Sequence, residues 1–146
     1  MTEQRLAVPS DAAQLPALTR FLQEFWSAAR LPPAQALPFE LALEEVFMNV
    51  VLHGSPAGTA PRVEVSLSMR DLKLTMTVED DGPEFDPLAA PPPDVTASLT
   101  ARPVGGQGVF LVRQMMDAVS YQRVGARNQL RMTKKITRSS GNPSRG

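Results

Sequence analysis

The stretch Arg62-Val63-Glu64-Val65-Ser66-Leu67-Ser68-Met69-Arg70-Asp71-Leu72-Lys73-Leu74-Thr75-Met76-Thr77-Val78 alternates polar and apolar residues on both sides of Arg70-Asp71. A period of two gives a strand one wet face and one buried face. Two such runs, 62–69 and 72–78, separated only by Arg70-Asp71, predict a tight antiparallel hairpin. A doubly wound sheet needs alternating crossovers, and this stretch has none.

Upstream, residues 4–8 read as a short edge strand. Ser10-Asp11 has the short oxygen-bearing side chains that cap free N–H groups of a first helical turn. Leu15, Leu18, Leu22, Phe25, Trp26 and Ala29 then recur at helical spacing, which predicts a helix over 11–30 ended by Leu31-Pro32-Pro33. A second helix is expected over 34–53, with Leu37, Leu41, Val46, Val50 and Val51 as its apolar side. Gly54-Ser55-Pro56-Ala57-Gly58 stops it, because glycine takes left-handed angles and proline cannot continue the hydrogen-bond ladder.

Downstream, residues 83–104 hold six prolines and break every pattern, with only 94–101 able to form a short helix. A segment this long inside a small domain is read as a functional lid or as disordered. Gly105-Gly106-Gln107-Gly108 leads into a third helix carrying Val109, Val112, Met115, Met116 and Val119. A second hairpin follows: 118–124, a Gly125-Ala126 turn, and 130–136. Hairpin-joined strands with helices set apart predict an α+β two-layer sandwich.

The 146 residues suit one domain, and 15 basic against 15 acidic residues leave zero formal net charge. That balance argues against a general nucleic-acid binder. Cysteine is absent, which removes disulfide, thiolate and zinc-thiolate chemistry and fits a reducing cytoplasm. No apolar run approaches the roughly 20 residues that span a bilayer, and the N-terminal residues carry no signal-peptide pattern. The expectation is a soluble cytoplasmic domain over 1–137, with a lid at 83–104 and a disordered basic tail at 138–146.

Three segments carry chemistry. Glu45 and Asn49 are four apart and share a helical face, which suits an oxygen-ligand site for Mg²⁺ or an activated hydroxyl. An exposed Glu/Asn pair has the same spacing. His53, one turn further, reads as structural. Asp80-Asp81-Gly82 ends a strand either as a simple turn or as a carboxylate that accepts from an adenine amino group beside a glycine that admits the base. The glycine cluster at 105–108 opens a helix and suits an anion cradle. It is not a Walker A loop, since the Lys-Ser/Thr pair is missing.

The order of these segments is more specific than any one of them. In E-E-V-F-M-N-V-V-L-H-G (44–54), V-E-D-D-G-P-E-F-D-P (78–87), G-G-Q-G-V-F-L-V (105–112) and N-Q-L-R-M-T-K (128–134), the chain resembles the histidine-kinase-type (GHKL) ATPases of the Bergerat fold. It looks most like the stand-alone anti-sigma-factor serine/threonine kinases of the RsbW/SpoIIAB type. The resemblance covers residues from about 5 to 137 and implies a largely antiparallel sheet with helices on one face.

It also implies roles. Asn49 would hold Mg²⁺ bridging the ATP phosphates, and Glu45 would be the general base, with Glu44 its rival. Asp80 would accept from adenine and Gly82 would line the base pocket. Gly106 and Gly108 would present amides to phosphate, and Thr133 would lie where a strand closes the adenine pocket. Arg102 is the sole cation between Lys73 and Arg113, so Mg²⁺ and backbone amides would meet most of the phosphate charge. The implied activity is ATP-dependent phosphorylation of a STAS-type anti-sigma-factor antagonist, with a sigma factor as the second partner and a homodimer as the implied assembly. No direct nucleic-acid or membrane contact is implied. The alternatives are a nucleotide-binding regulatory module that sequesters a partner without phosphoryl transfer, and an interaction domain without nucleotide.

Overall fold

The computed structural model describes residues 2–54, 61–89 and 106–137, and the hairpin sits inside a five-stranded sheet. Its strands are β1 (Thr2–Pro9), β2 (Arg62–Arg70), β3 (Lys73–Asp80), β4 (Ala118–Val124) and β5 (Arg127–Lys135). Their order is β1-β2-β3-β5-β4, and every pairing is antiparallel. The helices are α1 (Leu15–Ala28), α2 (Leu37–His53) and α3 (Gly106–Met115). The result is the α+β two-layer sandwich the patterns predicted.

Alternation decides which face the helices cover. Val63, Val65, Leu67 and Met69 of β2, Leu74, Met76 and Val78 of β3, and Leu130 and Met132 of β5 are all buried. They form one core with Leu18, Leu22, Phe25 and Trp26 of α1 and Phe39, Leu43, Val46 and Phe47 of α2. The intervening residues, among them Ser66, Ser68, Thr75, Thr77, Arg131 and Thr133, line the sheet's open polar face. The Trp26 indole donates from Nε1 to Pro32 O at 2.8 Å and packs against the Phe39 ring, 5.7 Å away. This ties the α1–α2 connection to the core.

Several boundaries differ from expectation. Residues Ala12–Gln14 form a tighter 3₁₀ turn, capped by Asp11, whose Oδ1 accepts from Ala13 N at 3.0 Å. The first hairpin turns on Asp71 and Leu72, at φ 51° and 62°, and not on Arg70-Asp71. Two positive φ values give the turn the twist that suits the flanking strands. β5 starts at Arg127, because the two-residue turn pairs Val124 directly with Arg127. Val119 belongs to β4, opposite Met132, and not to α3.

α2 presents a different face from the one expected. Leu37 and Leu41 are 57% and 42% exposed, while Phe39, Ala42, Leu43, Val46, Phe47 and Val50 are buried. The helix is apolar on most sides, and its two phenylalanines bury the greater area, so they set its rotation. Gly54 ends α2 at φ −101°, not in the left-handed region. The expected lid helix at 94–101, the rest of the lid from 90 to 104, Gly105 and the tail at 138–146 lie outside the described residues.

Candidate nucleotide site

The helix-facing side of the sheet is apolar row by row until its last row. There the register places Asp80 of β3 opposite Asn128 of β5, and Asn128 opposite Arg123 of β4. Three polar side chains thus occupy the end of a buried face. Asp80 and Asn128 are buried with them, and so is Asn49 on α2. Buried polar groups need partners, so each bond is informative.

Asp80 Oδ1 accepts from Gly82 N at 2.9 Å and from Asn128 Nδ2 at 3.0 Å. Asn128 Nδ2 also donates to Pro83 O at 2.8 Å. Asn128 Oδ1 accepts from Phe85 N at 3.0 Å, Tyr121 OH at 2.6 Å and Arg123 Nη1 at 3.2 Å. Arg123 Nη1 reaches on to Gly82 O at 2.9 Å. Burial raises the Tyr121 phenol above its ordinary pKa, and the nearby Glu84 carboxylate adds to the rise. The phenol therefore stays protonated as a donor.

Two polar groups in this pocket keep capacity for a ligand. Among the described residues, the Asn49 carboxamide and the second oxygen of Asp80, Oδ2, have no hydrogen-bond partner. Both residues line one pocket with Val46, Val50, Val78 and Leu130. This wall combines apolar surface with a few polar groups, as small-molecule sites do. Phe85 and Pro87 lie across it and leave about 20 Å³, the space of about one water. The Phe85 ring stacks near His53, with centroids 6.3 Å apart.

The structure thus brings Asn49, Asp80 and Gly82 together. Glu45 is half-buried one turn before Asn49 on α2, and Glu44 is exposed. Gly82 carries a constraint of its own: an added Cβ would lie 2.5 Å from Gly54 O. Gly106 and Gly108 open α3, which packs on α2. Thr133 is not part of the pocket. It pairs with Thr75 on the opposite, open face, because the pleat sends Asn128, Leu130 and Met132 inward and Thr133 outward. Asn128 and Arg123 had no role in the sequence reading. The former stood inside the N-Q-L-R-M-T-K motif, but only the β3–β5 register shows that it meets Asp80.

Among the described residues, no group of three His, Cys, Asp or Glu side chains is placed to hold a metal. A lone carboxamide such as Asn49 fits Mg²⁺ delivered with phosphates, which takes few protein ligands and keeps its waters. Among the described residues, no helix is long and apolar enough to cross a membrane.

Residues 8–134 match the family described as histidine kinase-like ATPase domain. The serine/threonine-protein kinase BtrW of Bordetella bronchiseptica is 32% identical over 114 residues, which cover 77% of this chain and 75% of that protein. A crystal structure of the RsbU and RsbW domains of a Mycobacterium tuberculosis protein shares the fold, with a TM-score of 0.67 at 11% identity. That match covers 93% of this chain, which spans only 33% of the larger structure.

Proposed function

Since the chain belongs to the histidine kinase-like ATPase domain family, we propose that it is an ATP-dependent serine/threonine protein kinase of the anti-sigma-factor type. Its substrate is a STAS-type antagonist, its second partner is a sigma factor, and phosphorylation of the antagonist switches which partner is held. The observation that carries this reading is the shared pocket of Asn49 and Asp80. Both are buried, they come from elements far apart in the chain, and both keep polar atoms without partners among the described residues. The printed name of the Bordetella relative, a serine/threonine-protein kinase, supports the reaction class.

Mg²⁺, when bound with ATP, supplies charge neutralisation for the transferred phosphoryl group. Asn49 holds the metal. Asp80 accepts from the adenine amino group through Oδ2, and Val46, Val50 and Val78 flank the base. The amides at the start of α3, at Gly106 and Gly108, favour phosphate because they are free donors at a helix N-terminus. Glu45 takes the proton from the incoming serine or threonine hydroxyl. A purine enters only when Phe85 and Pro87 move off the pocket.

Incubation with labelled ATP, Mg²⁺ and candidate STAS-domain proteins tests the proposal. Glu45→Ala is expected to keep ATP binding and slow transfer by about 10²–10⁴-fold. Transfer at the wild-type rate would remove Glu45 from this role and point to Glu44. ATP binding without transfer to any candidate would establish the regulatory module instead.

A further inference from the structure

We infer that Asn128 sets the base selectivity of the pocket by holding Asp80 as an obligate hydrogen-bond acceptor, so that a 6-amino purine is taken and a 6-oxo purine refused. The inference rests on the proposed nucleotide site and names a residue that acts there through another.

The argument starts from which end of the Asn128 amide is which. A backbone N–H can only donate, and Phe85 N lies 3.0 Å from Asn128 Oδ1. A carbonyl can only accept, and Pro83 O lies 2.8 Å from Asn128 Nδ2. These two partners remove the usual ambiguity of a carboxamide. The second hydrogen on Nδ2 must then point at Asp80 Oδ1, 3.0 Å away. Gly82 N, another pure donor, meets the same oxygen at 2.9 Å. Asp80 is surrounded by donors on Oδ1.

Asp80 therefore has one function left. Its Oδ2, with no partner among the described residues, can accept an N–H from a ligand. It has nothing to offer a ligand carbonyl. Asn128 itself cannot swing away, because the Tyr121 hydroxyl at 2.6 Å and Arg123 Nη1 at 3.2 Å hold its oxygen as well. Arg123 also grips Gly82 O at 2.9 Å, so the turn carrying Asp80 and the amide that orients it move as one unit. ATP and ITP differ only at the group that would face Asp80, an amino in one and an oxo in the other.

The test is calorimetric titration of the full chain with Mg-ATP and with Mg-ITP, for the wild type, Asn128→Asp and Asn128→Leu. The wild type is expected to bind ATP about 10- to 100-fold more tightly than ITP, the worth of one hydrogen bond to a charged group. In Asn128→Asp two carboxyls within hydrogen-bond distance share a proton, so the pair donates as well as accepts, and the ATP-to-ITP ratio is expected to fall to within about threefold of unity. Asn128→Leu frees Asp80 without adding a charge, and its ratio is expected to fall as well. A purely structural Asn128 would weaken both nucleotides equally and leave the ratio at the wild-type value, which would overturn the inference alone. A wild type that binds neither nucleotide would overturn the nucleotide site and the inference with it.

Discussion

A methyl group at Gly82 would place its carbon 2.5 Å from Gly54 O and 3.1 Å from Asp80 Oδ1. Neither neighbour is the loose end of a flexible side chain. Gly54 O is backbone at the close of α2, and Asp80 Oδ1 is held by two donors. Gly82→Ala is therefore expected to cost about 1–3 kcal/mol, the usual range for overpacking, as read by urea unfolding. The glycine that sequence reading assigned to base approach is first of all the point where α2 meets the β3 turn. At Tyr121 the expected effect is smaller. Tyr121→Phe removes one of the donors to Asn128 Oδ1 while Phe85 N and Arg123 remain, so the loss is about 0.5–1.5 kcal/mol. The phenol's pKa lies above 10.0 in the folded protein, first through burial and then through Glu84. A raised pKa means that the unfolded chain ionises first as pH rises. The stabilisation is thus complete below pH 10 and is lost as pH climbs through the folded value. Tyr121→Phe should flatten that alkaline fall, and a stability curve taken up to pH 11 in both proteins would reveal an unchanged slope if the assignment is wrong.

Elements were legible where one pattern dominated and obscure where two competed. β2 and β3 alternate without exception, and their pairing was readable. Their turn was misplaced by one residue, because Leu72 looks like a strand residue and nothing local marks it as taking φ 62°. α2 shows the competition plainly. Leu37 and Leu41 fit an apolar stripe, yet so do Phe39, Leu43 and Phe47 at the same spacing, and only packing against the sheet chooses between them. The choice has a measurable consequence. Leu43→Ala is expected to cost about 2–5 kcal/mol as a core deletion. Leu41→Ala should stay within about 0.5–1 kcal/mol as a surface change. Equal losses in the two variants would show that α2 is rotated from the orientation described. The site was legible in the same uneven way. Spacing along one helix links Glu45 to Asn49, and chain order places Asp80 after the hairpin. Asn128 and Arg123 became visible only through strand register, a long-range property that no short motif encodes. Thr133 was misread for the same reason, since its face depends on the register of β5.

At the scale of the molecule, the site is assembled from α2, the end of β3, the inner faces of β4 and β5, and the first turn of α3. No single element keeps it when the others unfold, so a ligand held there stabilises the whole domain and not one part of it. Phe85 and Pro87 must give up their place over the pocket when a base enters, and the contacts they lose lower the apparent affinity by that amount. The remaining gain still enters the folding equilibrium by mass action. At a hundredfold excess over the dissociation constant, Mg-ATP should add about 2.7 kcal/mol. For a domain of this size that is a rise in Tm of roughly 5–10 °C. The proposed roles separate on this scale. Glu45→Ala should rise as far as the wild type, because the base acts on the incoming hydroxyl and not on the nucleotide. Asn49→Ala should show only the smaller rise that the wild type shows with ATP and a chelator, because its carboxamide acts through Mg²⁺. A thermal scan of the three proteins with ATP alone, with Mg-ATP and with neither makes the comparison directly. A full Mg²⁺-dependent rise in Asn49→Ala would place the metal elsewhere, and no rise in any of them would take nucleotide binding from the pocket altogether.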